Sequence, residues 1–362
     1  MISILALGSD LKPSFTFLRG REIFSESIIN FVELSNLDDF NNWSKRIIEL
    51  CDRFKPNVIV VDKHPLFISR RFGIDLSRKL NAELIEAQHH HAHAFSSIKY
   101  FDINDRVLAV IMDGTGFGED GTIWGCEIFL CETDGKCERL GHLKPVPCPG
   151  GDAAILSPWR MAVGWLEESA DYDLFKDTVR KEEFEIAKRV CASKFAVLTS
   201  SAGRLFDAAA SLLGIAVTVK ESARAAVMLE NYAISALEIF GCAEEEKHYE
   251  IIGNVLDMKP ALFKIIQDQK SGVSIKNSAL QFHVQLVRGI CDLLEDVNNL
   301  GIKKVVFGGG CFLNSILRQE FPKRLSKLGY ETYLPEPFIC TDLALSIGQA
   351  EIASKNLELK EI

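Results

Sequence analysis

The feature that most constrains the fold is a pattern that occurs twice. Residues 2–7 (Ile-Ser-Ile-Leu-Ala-Leu) form an apolar run that ends at Gly8-Ser9-Asp10. Residues 13–18 then alternate with strand period, Arg19-Gly20 supplies a turn, and a third short strand is expected near 22–24. Residues 106–144 repeat this order, with a strand at 107–112, a Gly/Asp loop from Asp113 to Gly121 and a second strand at 122–130. Asp134-Gly135 turns the chain into a third strand at 138–143. Two copies of strand, Gly/Asp loop, strand, turn, strand predict two similar lobes of α/β structure.

Between the copies, an amphipathic helix is expected at 37–53, opened by Asp38-Asp39. A buried strand at 57–61 ends in Asp62-Lys63-His64-Pro65, and another near 83–87 follows a further helix. Strands alternating with helices read as parallel βαβ units. After the second copy, 153–300 is mainly helical by period, with helices from Pro158, after the 200–209 loop, and over 222–240 and 278–299. The α/β pattern then resumes with a strand at 303–307, a Gly308-Gly309-Gly310-Cys311 turn and a helix at 312–328, broken or kinked at Pro322. A strand at 331–334 precedes a last helix that starts near Asp342. The expected division is a first lobe of 1–104 plus the C-terminal helix 343–362, and a second lobe of 105–342 with a helical insertion at 153–300.

The chain's 362 residues, 47% hydrophobic and 25% charged, suit a soluble protein with an ample core. No apolar run approaches the roughly 20 residues of a membrane span, and the N-terminus lacks the basic segment of a signal peptide. Ten scattered cysteines with no CxxC argue against a zinc ribbon and for reduced thiols in the cytoplasm. A formal charge of −9 argues against direct binding of nucleic acid.

Four of the eight histidines lie in Gln88-His89-His90-His91-Ala92-His93. On a helix His89 and His93, at i and i+4, share one face and can bind one metal ion if a carboxylate arrives from elsewhere. The metalloprotease pattern HExxH has the same spacing but needs Glu at its second position, where this chain has His90. A solvated histidine face is the plain alternative. Elsewhere, residues 116–121 match GxGxxG, but a strand follows instead of the helix that a dinucleotide site requires, so the Rossmann reading fails. The turn Gly308-Gly309-Gly310 before Asn314 lets an adenine or a phosphate approach the backbone. Joined to the two Gly/Asp hairpins, it resembles the adenosine and phosphate loops of the two-lobed ATPase superfold (ASKHA) shared by actin, sugar kinases and heat-shock chaperones.

A closer resemblance rests on QHHHAHA at 88–94, MDGTGFGEDGTIWG at 112–125, PGGDAAILSPWRMA at 149–162, SSAGRLFDA at 200–208 and FGGGCFLN at 307–314. These ordered motifs resemble the C-terminal catalytic region of the HypF family, carbamoyltransferases that mature nickel-iron hydrogenases. That region is in turn similar to threonylcarbamoyl-transferases of the TsaD type and to antibiotic carbamoyltransferases.

The resemblance implies a metal, iron or zinc, held by His89, His93, Asp113 and Asp342. It implies ATP or carbamoyl-adenylate in the cleft, with backbone donors at Gly8, Gly114, Thr115 and Gly116 on the phosphates and Lys12 as a nearby charge. Asp207, Gly309, Gly310 and Asn314 are the expected adenine and ribose contacts, with Arg160 and Asp152 on the acyl side. His90 and His91 are expected to face the sheet, or groups that surround the metal ligands, rather than the metal. For Asp342 helix capping is an equal expectation, for Asp207 a solvated carboxylate is, and His64 is expected to be structural. The implied partners are a HypE-like acceptor, whose cysteine thiol receives the carbamoyl group, and a separate YrdC-type protein that makes the adenylate.

Two segments depart from the family. Around Asp342 the chain reads Thr341-Asp342-Leu343-Ala344 where Asn-Asp-Gly-Gly is usual, and 217–230 lacks a Tyr-Glu-Gly-Gln-like stretch. The departures leave open O-carbamoylation of a metabolite, threonylcarbamoyl transfer to tRNA, or a nucleotide-binding scaffold without transferase activity.

Overall fold

In a computed structural model of the chain, residues 2–20, 22–27, 33–240 and 246–358 are described. Parts of the expected first lobe, at 1, 21, 28–32 and 359–362, lie outside them. The chain opens with β1 (Ser3–Ala6), β2 (Ser14–Arg19) and β3 (Glu22–Ser27), then α1 (Leu37–Phe54), β4 (Val58–Asp62), α2 (Ile68–Leu80), β5 (Glu83–Ala87) and α3 (His89–Tyr100). The second meander is β6 (Val107–Phe117), β7 (Ile123–Cys131) and β8 (Cys137–Leu143). Next come β9 (Val146–Pro147), α4 (Ala153–Leu156), α5 (Pro158–Leu166), α6 (Lys181–Cys191), β10 (Leu198–Thr199), α7 (Ala202–Leu212) and α8 (Arg224–Phe240). The hairpin β11 (Glu250–Ile252) and β12 (Val255–Asp257) precedes α9 (Lys259–Lys270) and α10 (Ile275–Val297). The chain closes with β13 (Lys304–Gly308), α11 (Ser315–Lys327), β14 (Glu331–Tyr333) and α12 (Leu345–Glu358).

The strands form two sheets. One has the order β3-β2-β1-β4-β5, the other β11-β12-β8-β7-β6-β13-β14 with β10 joining β7 to β9. In each, an antiparallel meander continues into parallel strands through its first member, β1 onto β4 and β6 onto β13. The central strands are buried on both faces, which explains their near-continuous apolar sequence. Their side chains divide by strand period between separate cores. Leu5, Ile59 and Val61 pack with Trp43, Ile47 and Phe54 of α1. Leu108, Val110 and Phe307 pack against the helices after β9. Between the sheets, Ile4, Ala6, Val58 and Val60 meet Ala109, Ile111 and Val306 around α3 and α12. This is a two-lobed α/β fold of the actin-like class, and the histidine helix lies at its centre.

Three expectations change. β6 does not end before Asp113 but runs to Phe117, its register with β7 shifting between Met112 and Gly116. Such an irregularity re-aims side chains. The helical insertion also contributes β10, β11 and β12, and β12 pairs with β8 to widen the second sheet. Strands of two or three residues are too short to show a period. Finally, the break in the helix expected at 312–328 falls at Asn314 rather than at Pro322. A 3-10 turn, Gly310–Leu313, precedes Asn314, whose side chain accepts from the N–H groups of Ile316 and Leu317. Pro322 sits inside α11.

Candidate metal centre

Gln88 starts the histidine helix, its side chain accepting from the His91 N–H. Because α3 leaves the C-terminal end of β5 and is enclosed by both sheets, His89, His90 and His93 are buried. The spacing expected to align His89 and His93 does so, with their rings 5.0 Å apart. Asp113 arrives from the irregular part of β6, and Asp342 from the single turn before α12. Asp113 Oδ2 lies 3.6 Å from Nε2 of both His89 and His93. Asp342 Oδ1 lies 3.9 and 3.5 Å from the same two atoms. One donor atom from each of the four residues falls within 4.8 Å of all the others.

Neighbouring groups hold these donors in place. Asp62, at the end of β4, approaches His89 Nδ1 at 2.8 Å, so Nδ1–H donates to the carboxylate and Nε2 is the ring nitrogen turned to the cluster. Ser9 Oγ donates to Asp342 Oδ2 at 2.9 Å. The Gly310 N–H donates to Asp113 Oδ1 at 3.1 Å. Burial opposes protonation of His89, but Asp62, Asp113 and Asp342 outweigh it and hold its pKa well above the usual value. Burial likewise opposes ionisation of Asp113, yet the two imidazoles bring it well below the carboxylate range. The cluster is a field for positive charge.

The donors fit a divalent ion. His89 Nε2 and His93 Nε2 are buried with no hydrogen-bond partner. Metal bonds of about 2.0–2.2 Å place tetrahedral donors roughly 3.3–3.6 Å apart, close to the separations here. Two imidazoles and two carboxylates suit iron or zinc. Asp342, equally expected as a helix cap, turns its oxygens to Ser9 and the imidazoles.

Residues 2–99 match the family described as HypF Kae1-like domain, and residues 109–349 match the second subdomain of the carbamoyltransferase Kae1-like domain. A carbamoyltransferase HypF homolog of Cupriavidus necator is 32% identical over 97% of this chain and 91% of its own length. The chain belongs to the HypF carbamoyltransferase family. HypF of Rhizobium leguminosarum is 30% identical over 97% of this chain, but only 45% of that protein is covered. The chain thus spans about half the length of several HypF relatives. A crystal structure of full-length HypF in its phosphate- and nucleotide-bound form superposes with a TM-score of 0.87 at 32% identity, over 99% of this chain and 47% of that one. HypF from T. kodakarensis, 23% identical, shares the fold with a TM-score of 0.88, over 99% of this chain and 48% of that one.

Among the other positions expected from the HypF resemblance, several have backbone or side-chain groups already engaged. The Gly8 N–H, an expected phosphate donor, instead donates to Gln349 Oε1 at 2.8 Å. Gly8 has φ of 64°, and a Cβ there would come within 2.7 Å of Ser14 O. Gly309 (φ 93°) presses onto Met112, and the Gly310 N–H is given to Asp113, so this turn seats the carboxylate. Asn314, an expected adenine or ribose contact, has its side chain committed to capping α11 and to His283 Nε2, 3.1 Å away.

Gly114, Thr115 and Gly116 follow Asp113 along β6, and the space a Cβ would take on Gly116 is filled by the His90 ring. Lys12 is exposed with φ of 49°, Asp152 is exposed, and Arg160 is half-buried with its guanidinium over the Trp159 ring. Asp207 is not solvated: it is buried, and burial lifts its carboxyl to about 6 against the pull of Arg204.

His90 turns to Glu127, with Nδ1 3.1 Å from Oε2, and His91 packs edge-on against Phe129 of β7. His64 is half-buried, its ring stacked on Phe67 and edge-on to Phe117. In the departing segments, Asp342 still reaches the cluster, and Glu230 Oε1 accepts from the Ser315 N–H at 2.7 Å. Sequence reasoning did not single out Asp62, Ser9, Glu127 or Arg204. Only Asp62 carried a signal, as a carboxylate at the C-terminal end of a buried parallel strand.

Proposed function

We propose that this chain is a metal-dependent carbamoyltransferase, moving a carbamoyl group from carbamoyl-adenylate to a protein thiol in hydrogenase maturation. The observation that carries the reading is the convergence of His89 and His93 with Asp113 and Asp342 at the junction of the two lobes. In the reaction the acceptor sulfur attacks the carbamoyl carbon and the bond to the phosphate oxygen breaks. AMP leaves, and the thiol proton passes to solvent. His89, His93, Asp113 and Asp342 would hold a divalent ion, which when bound would supply Lewis-acid charge on the phosphate side. His89 and His93 offer nitrogen donors, Asp113 and Asp342 balance the charge, and Asp62 orients His89. The Gly114–Gly116 stretch lies beside Asp113 for the phosphate, and Arg160 and Asp152 are assigned to the acyl side.

The nucleotide assignment draws support from the phosphate- and nucleotide-bound HypF. The acceptor is a HypE-like protein, the adenylate comes from a YrdC-type protein, and the reaction runs in the cytoplasm. The described cysteines are all free thiols, as a reducing compartment requires. Among the described residues no helix is long and apolar enough to cross a membrane. Threonylcarbamoyl transfer to tRNA is weighed against by the net charge of −9.

Mixing the metal-loaded chain with carbamoyl-adenylate and the acceptor protein is expected to release AMP and modify the acceptor thiol, and His89→Ala with His93→Ala to abolish both. AMP release unchanged in the double variant sinks the metal role. Metal and nucleotide binding with no transfer to thiol, hydroxyl or tRNA acceptors establishes the scaffold instead.

A further inference from the structure

The wall beside Asp113 holds a charged group that the metal cluster does not use. Arg204, in the first turn of α7, is 5% exposed, and its Nε and Nη1 are buried without a hydrogen-bond partner. Asp207 Oδ2 comes within 2.7 Å of Nη1 but out of line for a hydrogen bond. A guanidinium cannot shed its proton, so a buried one with idle N–H groups bears a desolvation cost that a matched oxyanion offsets.

The space it borders is open. Apart from Gly114 itself and its two chain neighbours, the one heavy atom of the described residues within 4 Å of where a Cβ would sit on Gly114 is Arg204 Nη2, at 3.8 Å. Gly114 directly follows Asp113, whose Oδ2 faces both imidazoles. The first turn of α7 is pressed against this point: a Cβ on Gly203 would lie 2.8 Å from Gly114 Cα. Ser201 Oγ, which caps α7, lies 2.7 Å from the Gly114 carbonyl oxygen. Gly114 therefore has the cation cluster on one side and a guanidinium with a helix N-terminus on the other.

We propose that Arg204 is an anion-binding residue that receives a phosphate-type oxyanion over Gly114, with Asp207 holding the guanidinium until that anion arrives. The inference rests on the reading that the cleft accepts an adenylate. The oxyanion belongs either to the nucleotide or to free inorganic phosphate.

The test is calorimetric titration of the metal-loaded full chain and its Arg204→Gln variant with AMP, adenosine and inorganic phosphate. The variant is expected to keep its metal and to bind adenosine as before. It should bind AMP about tenfold or more weakly, the scale of one lost charge-assisted contact. Arg204→Lys keeps the charge without the fork and is expected to restore AMP binding in part. This arm serves if the Gln variant fails to fold. AMP binding that inorganic phosphate displaces assigns free phosphate, and binding that withstands phosphate assigns the phosphate of the nucleotide. Equal losses of AMP and adenosine, no loss of AMP, or a wild type that binds neither AMP nor phosphate overturn the inference. AMP release from carbamoyl-adenylate, assayed on the wild type alone, judges the transfer reading separately.

Discussion

His89 can offer Nε2 to a cation only while Nδ1 keeps its proton, and Asp62 Oδ2 at 2.8 Å is the acceptor that holds it there. Asp62 is fully buried and is not among the cluster's four donors. Asp62→Ala is therefore expected to leave all four donors present and still weaken metal affinity about 10–100-fold. A chelator competition on the purified protein measures this, and wild-type affinity in the variant would remove Asp62 from the site. The pair His89 and His93 was legible because helical spacing alone places both rings on one face. Asp113 and Asp342 were reached only through the family resemblance, since nothing in their local sequence indicates that separate elements carry them to one point. Asp62 went unread because an aspartate that orients a ligand has no spacing rule of its own. Gly310 shows a related limit: a glycine turn announces a close approach but not everything that approaches, and one group here is the Asp113 carboxylate.

At the scale of elements, the join of β13 to α11 depends on one side chain. Asn314 Oδ1 accepts two N–H groups of α11, and its Nδ2 donates to His283 Nε2 of α10. His283 Nδ1 in turn donates to the Ala279 carbonyl at 2.7 Å, so the buried ring is neutral with both nitrogens engaged. Asn314→Ala removes a cap and strands a buried acceptor, a loss of about 2–4 kcal/mol that chemical denaturation would show.

Burial holds the His283 pKa down to about 4, well below its unfolded value of 6.5. Between those values the unfolded chain binds a proton that the folded chain refuses, so stability falls as pH drops from 6.5 toward 4. The contribution is about 3 kcal/mol. Asp207, lifted to about 6, contributes with the opposite sign in the same range, because there the folded chain holds the extra proton. The quantity to measure is therefore the difference between wild type and His283→Gln, whose denaturation free energy should lack the His283 loss on acidification. Identical pH dependence in the two would refute the assignment. The meanders were readable because each joins an apolar run of several residues to further strands across Gly/Asp turns. The hairpin β11–β12, with three-residue strands around Gly253, offered no period to read.

For the whole molecule, the distance between the two halves of the metal centre is set where α3 meets α12. The histidines ride on α3, and Asp342 sits on the turn that leads into α12. Between them Ser96 Oγ lies 2.8 Å from the Ala344 carbonyl and 2.9 Å from the Ala92 carbonyl. Gly348 faces Ala92 so closely that a Cβ there would stand 1.8 Å from the Ala92 carbonyl oxygen. No rotamer relieves a clash between Cβ and backbone, so Gly348→Ala must push the helices apart. The helices fill the core between the sheets, so the shift moves Asp342 away from His89 and His93 without altering any donor. The expected result is a stability loss of about 1–3 kcal/mol, the range of overpacked cores, together with a loss of metal. Ser96→Ala, which removes the hydroxyl bridge and adds no volume, should retain the metal at a smaller cost in stability. Both readouts come from thermal unfolding and elemental analysis of the same preparations. Full metal content in a folded Gly348→Ala protein would mean that the spacing of α3 and α12 does not govern the site.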